Sequence, residues 1–236
     1  MHISFRNRTL AASALIAVAL LLGNSTVNAQ SYILDDGTAE NSVGLNGGGG
    51  ADIIVLNSFA VTGGFNVINS ISIAFGSPGG TGANMNGVAF TAILWNDPNG
   101  DGSPTDATVL TTAPGVVSGF STNAFVTVSL TPTAVLTPNF FVGFLITQPD
   151  PAFPAAFDQT APTFANRSFV TGGTTGDIND LNNNDLPVAA IESFGLVGNW
   201  LIRANAIPEP STYMLAGLGL LGLLGLRRFT RGQKVS

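Results

Sequence analysis

The chain has 236 residues, a net charge of −6, no cysteine and a single histidine. That histidine is His2, so Ser-His-Asp triads, cysteine nucleophiles and zinc sites built from histidine or cysteine are excluded from the rest of the chain. No lysine occurs between residues 30 and 206, which excludes Schiff-base chemistry from this part as well.

The N-terminal segment has the features of an export signal. Arg6 and Arg8 precede the apolar run 10–22, and small residues at 27–29 follow it. Thirteen apolar residues are too few to span a membrane comfortably, so an uncleaved anchor is the weaker alternative. We therefore predict a signal peptide at 1–29, exported by the Sec machinery and cut by signal peptidase before Gln30.

The predicted body, 30–206, is long enough for one domain with its own core. It contains thirteen aspartates and glutamates but only Arg167 and Arg203 as cations, a net charge of −11. Such a surface repels phosphate backbones, so nucleic-acid binding is not expected. Acidic residues in loops instead favour divalent cations.

Strand patterns recur through the body at short spacing, and no segment has helical periodicity. The predicted strands are 31–35, 52–59, the alternating set around 71–75, 88–95, 108–112, 125–130, 140–147, 167–170, 188–194 and 200–203. Glycine, proline and asparagine mark the turns between them. The continuous apolar run 140–147 predicts a central strand. Nine or ten strands without helices predict an all-β fold, a jelly-roll-like β-sandwich.

The loop 97–106 is the sharpest motif in the body. Oxygen-bearing side chains occupy its positions 1, 3 and 5, as Asp97, Asn99 and Asp101, and Gly102 follows at position 6. This spacing matches the first half of a calcium-binding loop, in which alternate residues converge on one cation and glycine permits the tight turn.

The second half of this loop departs from the calcium pattern. Thr108 stands at position 12 instead of the bidentate glutamate, so Asp106 is the predicted closing carboxylate and Ser103 the carbonyl ligand. The predicted cofactor is Ca²⁺. The alternative is a solvated hairpin loop with Asx turns, which aspartate, asparagine and glycine also favour.

Three further groups of residues raise weaker possibilities. The loop 177–185 is rich in oxygen ligands for a cation or for sugar hydroxyls, but a long polar loop is the favoured interpretation. Asp35, Asp36 and Glu40 could supply the carboxylate pair of a glycoside hydrolase, although clustered acids near a domain's start are usually solvated. Trp95 and Trp200 could form a sugar-stacking platform, but both lie in predicted strands, which favours the core.

The C-terminal segment combines a polar motif, an apolar run and a basic end. Pro208, Glu209 and Pro210 precede the apolar run 213–226. Three arginines of the basic stop follow, namely Arg227, Arg228 and Arg231. A helix over 211–229 reaches roughly 28 Å at ~1.5 Å per residue, close to the bilayer core. Positive charge stays cytoplasmic, which predicts a transmembrane helix with the body outside.

This order of features resembles the PEP-CTERM sorting signal of Gram-negative bacteria. Pro208, Glu209 and Pro210 match its motif residue by residue, and Ile207 stands where that family most often has valine. The resemblance implies that exosortase, a membrane-embedded enzyme, removes residues 207–236 and that the body passes to the cell surface or the medium. It also implies a link to bacteria that make exopolysaccharide.

The body resembles secreted jelly-roll modules related to carbohydrate-binding domains. The segments 35–41 and 91–95, the second followed by an Asp/Gly loop, carry this resemblance. Together the observations favour a non-catalytic surface or matrix protein, with extracellular polysaccharide as its expected partner and no identified ligand-binding residue. The alternatives are a secreted carboxylate-dependent glycan hydrolase and a purely structural matrix protein.

Overall fold

The structure, a computed structural model, describes residues 29–45 and 50–207 together with Gly219. Predictions on the signal peptide and the sorting tail fall outside this part, including the motif Pro208, Glu209 and Pro210 and the stop residues Arg227, Arg228 and Arg231. Within the described residues, no helix has the length and apolar character needed to cross a bilayer.

The described residues form thirteen β-strands and two short 3₁₀ helices, Pro104–Asp106 and Ile191–Phe194. The strands are β1 (Gln30–Tyr32), β2 (Asn41–Val43), β3 (Ala51–Ala60), β4 (Val67–Ala74), β5 (Ala89–Asn96), β6 (Thr108–Val116), β7 (Phe125–Ala134), β8 (Asn139–Gln148), β9 (Ala155–Asp158), β10 (Ser168–Gly173), β11 (Leu186–Ala190), β12 (Asn199–Trp200) and β13 (Ile202–Ile207). The prediction of an all-β fold is confirmed.

Two antiparallel sheets face each other across one core. The four-stranded sheet has the order β1-β13-β4-β7, and the six-stranded sheet the order β11-β10-β3-β8-β5-β6. Ile71 and Ile73 of the first sheet join Phe140 and Phe144 of the second in the same buried cluster. This is the predicted sandwich, in which the inner faces of both sheets supply the core. A small third sheet, β12-β9-β2, lies beside it.

The six-stranded sheet is buried on both faces. Along β3, Ile53 and Val55 point into the sandwich core, while Ile54 and Leu56 belong to a second cluster on the outer face. Residues outside the strands, Ala107 and Leu181, complete this outer cluster. Double burial explains why β8, the predicted central strand between β3 and β5, is apolar almost throughout.

The two ends of the body lie side by side. Strand β1 pairs with β13 in antiparallel register, and Gln30 is opposite Ala206. Strand β13 also pairs with β4 on its other side, so it is an interior strand of its sheet. It continues to Ile207, one residue past the predicted end of the body.

Three details of the predicted strands are wrong. The predicted strand 188–194 ends at Ala190 and turns into the 3₁₀ helix, because Ile191 is drawn fully into the core. The predicted strand 200–203 is split between β12 and β13, which belong to different sheets. Strands β2 and β9 were not predicted, since each has only three or four residues.

Candidate functional site

The loop 97–106 is built around a buried aspartate. Asp97 has no solvent exposure, and its Oδ1 and Oδ2 accept hydrogen bonds from the backbone N–H groups of Gly100 at 3.0 Å and Gly102 at 2.7 Å. Both glycines have positive φ, +75° and +80°. These conformations favour glycine strongly, so the sequence pattern fixes how the loop wraps around the carboxylate.

The next two turns of the loop are Asx turns. Asp101 N–H donates to Asn99 Oδ1 at 2.9 Å, and Ser103 N–H donates to Asp101 Oδ1 at 2.7 Å. Asn99 Nδ2 also donates to Asp101 Oδ2 at 3.1 Å. The hydrogen bonds of the hairpin-loop alternative are therefore present, and by themselves they do not decide between a turn and a cation site.

Three of the predicted metal ligands nevertheless converge. One carboxylate oxygen from each of Asp97, Asp101 and Asp106 lies within 4.8 Å of the other two. Ca²⁺ binds oxygen at roughly 2.3–2.6 Å, so oxygens on opposite sides of one ion are about 4.8 Å apart. Asp106 Oδ1 is buried and has no hydrogen-bond partner among the described residues. Asp106, the predicted closing carboxylate, is thus part of the cluster.

The loop is fixed at both ends to neighbouring elements. Asn139 Nδ2, at the start of β8, donates to Gly100 O at 2.8 Å. Asn182 Nδ2, from the loop 177–185, donates to Thr105 O at 2.6 Å. These contacts position the carboxylates without occupying their oxygens.

The loop 177–185 has a structural role. Leu181 is buried in the outer cluster of the six-stranded sheet, and Ile178 packs beside it. Asn184 is also buried: its Nδ2 donates to Thr171 Oγ1 at 3.0 Å, and its Oδ1 accepts from Asp177 N–H at 2.7 Å. The loop is thus a long polar loop, as favoured from the sequence, and it covers the sheet through its buried residues Leu181 and Asn184.

The acids near the start of the body also serve the fold. Asp35 is buried and accepts two hydrogen bonds from Arg203 Nε, and its Oδ1 lies 2.5 Å from Arg203 Nη2. Glu40 Oε2 accepts from Gln159 N–H at 2.8 Å. These contacts tie the first loop of the body to β13 and to the segment after β9.

Asp36 is held in its ionised form by hydroxyl and amide donors. The side chain and backbone N–H of Thr38 donate to it, as does Thr160 Oγ1. The Thr38 hydroxyl, followed by the other two donors, lowers the pKa of Asp36 below its ordinary value. A glycosidase general acid needs the opposite shift, so this environment does not favour that role for Asp36.

Both tryptophans are core residues, which is the interpretation that their positions in predicted strands favoured. Trp95 is fully buried and its Nε1 donates to Ile178 O at 2.9 Å. Trp200 is 1% exposed and its Nε1 donates to Phe169 O at 2.9 Å. Neither ring is available as a sugar-stacking surface, so the platform alternative is wrong.

A polar cleft beside the loop 97–106 was not predicted from the sequence. It has a volume of about 410 Å³ and is lined by Ser58, Asp101, Asn139, Arg167 and Phe169, among others. The residues that form it come from four separate parts of the chain, which no local motif connects. The available signal was Arg167, because it is one of only two cations in an acidic body.

Comparison with solved structures shows that the fold of the body has known counterparts. The structure of the cysteine protease and lectin-like domains of Cwp84, a surface layer associated protein of Clostridium difficile, is similar with a TM-score of 0.52 and 12% identity, covering 77% of this chain and 36% of that chain. A second structure of clostridial Cwp84, after propeptide cleavage, is similar with a TM-score of 0.53 and 15% identity, covering 77% and 40%. This chain thus spans well under half of those proteins, and the similarity concerns the fold.

The sequence comparison identifies the tail. Residues 206–228 match the model of the PEP-CTERM protein-sorting motif. The chain therefore carries the sorting signal of an exported protein that is processed by exosortase and sorted to the cell surface. No curated protein matches the chain in sequence.

Proposed function

We propose that the chain is a non-catalytic cell-surface or matrix protein whose β-sandwich associates with extracellular polysaccharide after both ends are removed. The observation that carries this proposal is the position of the sorting motif. The match begins at Ala206, inside β13, and the Pro-Glu-Pro sequence follows directly after that strand ends at Ile207. The whole sandwich is thus N-terminal to the signal that is discarded.

The arrangement of the two ends supports this processing scheme. Gln30, the first residue after the predicted signal peptide, lies opposite Ala206. Two cuts beside this pair of strands would leave the described strands in the released product, except for Ile207 at the end of β13. Export also agrees with the absence of cysteine, since a core of this size folds without disulfides.

The second part of the proposal is that the loop 97–106 binds Ca²⁺. Asp97, Asp101 and Asp106 would supply carboxylate oxygens, with Asn99 Oδ1 and the Ser103 carbonyl as the remaining protein ligands. Three carboxylates within 4.8 Å of one another repel unless a cation lies between them. The ion would stabilise the loop and, through Asn139 and Asn182, the elements that hold it.

The rival functions differ in what they require. A glycan hydrolase needs two carboxyl groups facing each other across a cleft, roughly 5 or 6.5–9.5 Å apart, with one pKa raised. Asp35, Asp36 and Glu40 are instead each engaged in fold contacts. A purely structural matrix protein needs no ligand site, so the convergent loop and the polar cleft favour a binding role.

The experiment that tests the proposed association is co-sedimentation with the host's own exopolysaccharide. Protein collected from the cell surface is mixed with deproteinised exopolysaccharide or with cellulose, each with and without chelator. We expect the protein to sediment with the exopolysaccharide and not with cellulose. The chelator should lower the fraction of protein that sediments. Protein that remains in the supernatant with exopolysaccharide would contradict the association and favour the purely structural alternative.

A further inference from the structure

The polar cleft lies on the outer face of the six-stranded sheet, beside the loop 97–106. Ser58 on β3, Asn139 on β8 and Phe169 on β10 form its floor, since neighbouring residues on these strands share that face. Asp101, Gly102 and Ser103 form one wall. Its volume of about 410 Å³ is in the range of ~300–1,000 Å³ typical of small-ligand sites.

One of the floor residues has an unused hydrogen-bonding group. Ser58 has no solvent exposure, yet its Oγ has no hydrogen-bond partner among the described residues. Leaving a buried hydroxyl unpaired costs about 1–3 kcal/mol. By contrast, Ser168 Oγ, on the opposite face of the same sheet, donates to Asn57 Oδ1 at 2.7 Å. Ser58 therefore lines the cleft with a hydroxyl group whose hydrogen-bonding capacity the described residues leave unused.

The cleft also contains a cation without a carboxylate partner. Arg167 is half-buried, and the only hydrogen bond that its side chain makes in the described part of the chain is from Nη1 to Ser58 O, at the long distance of 3.5 Å. Arg203, the other arginine of the body, is paired with Asp35 and stacked on Phe125. In a body with thirteen acids, an arginine left unpaired beside a polar cleft indicates an anionic ligand.

The charge of the cleft limits the kind of anion. Arg167 contributes one positive charge, and Asp101 on the wall contributes a negative one. A doubly charged phosphate or a polysulfated chain would lack compensation, whereas a single carboxylate matches the guanidinium fork. The amide of Asn139 and the hydroxyls of Ser58 and Ser103 suit the hydroxyl groups of a sugar.

We propose that this cleft binds a uronate unit of an acidic polysaccharide, with Arg167 pairing with the sugar carboxylate and Ser58 and Asn139 hydrogen-bonding its hydroxyls. The apolar edge of Phe169 contacts the ring. This inference rests on the proposed association with extracellular polysaccharide and adds the class of sugar and the residues that recognise it.

The test uses the full chain, exported and purified in detergent, and isothermal titration with tetragalacturonate. Maltotetraose is the neutral control and sodium acetate the free-carboxylate control. We expect tetragalacturonate to bind more tightly than either control. Equal affinity for maltotetraose, or affinity for acetate as high as for tetragalacturonate, would overturn the assignment of an acidic sugar.

Variants locate the binding to the cleft. Arg167→Gln should weaken tetragalacturonate binding by about tenfold to a hundredfold, because a charge-assisted pair is lost, while Arg167→Lys should retain part of it. Ser58→Ala should weaken it by about two- to tenfold without changing net charge. Each variant is checked for a cooperative melting transition at or above the melting temperature of the parent, and Asn86→Ala, outside the cleft, is the control variant.

The outcome separates this inference from the broader proposal. If the parent protein does not bind tetragalacturonate, or Arg167→Gln and Ser58→Ala both bind it like the parent, the cleft assignment is wrong. Co-sedimentation with the host exopolysaccharide can still succeed in that case, through another surface. Failure of co-sedimentation would instead contradict the proposed function itself.

Discussion

Two acidic loops, 97–106 and 177–185, lie on one side of the six-stranded sheet. They have similar compositions, but their polar side chains are arranged differently. The loop 97–106 holds three carboxylates together and leaves one buried oxygen of Asp106 unpaired. In the loop 177–185, the buried Asn184 side chain is hydrogen-bonded to Asp177 N–H and Thr171 Oγ1, and Leu181 covers the sheet. Composition alone therefore does not separate a candidate cation site from a structural cover. What separates them is that three carboxylates converge in the loop 97–106, whereas the loop 177–185 buries Leu181 in the outer cluster of the sheet.

The largest expected effect is the loss of stability caused by a substitution in the loop 177–185. Leu181→Ala removes a side chain that is 2% exposed in the outer cluster, and it should lower the free energy of unfolding by about 2–5 kcal/mol. Urea denaturation of the excised body, residues 30–207, measures this. Leu136→Ala, at a position that is 86% exposed, is the matched control and should change stability by less than about 0.5 kcal/mol. Equal effects of the two variants would show that the loop 177–185 does not cover the sheet.

The next largest effect is that of calcium on the loop 97–106. Calcium at a hundredfold excess over its dissociation constant should stabilise the body by about 2.7 kcal/mol. Without a twelfth-position glutamate the site should be weak, with a dissociation constant of roughly 10⁻⁴ to 10⁻³ M, as in extracellular modules. The measurement is the melting temperature with calcium and with chelator.

A pair of substitutions makes the calcium experiment specific to one loop. Asp101→Ala should abolish most of the calcium-induced rise in melting temperature. Asp180→Ala is the control from the loop 177–185, where the Asp180 side chain accepts a local hydrogen bond from Asn182 N–H, and it should keep the rise. If chelator leaves the melt of the parent unchanged, or both variants respond alike, the loop 97–106 is only a turn.

The smallest expected effect concerns Asp185, at the end of the cover loop. Backbone N–H and Oγ1 of Thr174 donate to its carboxylate, and these bonds lower the pKa of Asp185 below its ordinary value. Because the folded pKa is the lower one, the stabilisation is present above the unfolded pKa of ~3.9 and is lost as the pH falls through the folded value.

The titration of Asp185 can be followed by carboxyl NMR between pH 2 and 6. Thr174→Val removes the hydroxyl donor and should move the pKa of Asp185 back toward its ordinary value, while the backbone bond remains. An unchanged pKa in this variant would mean that the hydroxyl does not stabilise the ionised form.

Much of the fold could be predicted because alternation and turn residues are local signals. The apolar run of β8 predicted a central strand, and the structure places β8 between β3 and β5. The 3₁₀ helix at Ile191–Phe194 could not be told from a strand, since a short apolar run has no distinct period. Strand β9 has no alternation of apolar and polar residues that would predict it, and its pairing with β2 and β12 defines it as a strand.

The candidate site was predictable only where it is local in sequence. The spacing of Asp97, Asn99 and Asp101 indicated the loop, and the convergence of Asp106 on it follows from the intervening 3₁₀ helix. The cleft could not be predicted, because Ser58, Asn139 and Arg167 meet only through the pairing of β10, β3 and β8. Long-range register of this kind has no signature in a single sequence.

The central claim is that the sandwich is delivered outside the cell with both ends removed. Intact-mass measurement of the protein from the native cell surface tests this most directly. We expect a product that begins at Gln30 and lacks the apolar run and basic end of the sorting tail. A mass that still includes residues 214–236 would contradict the account, since the body would then remain attached to its membrane helix.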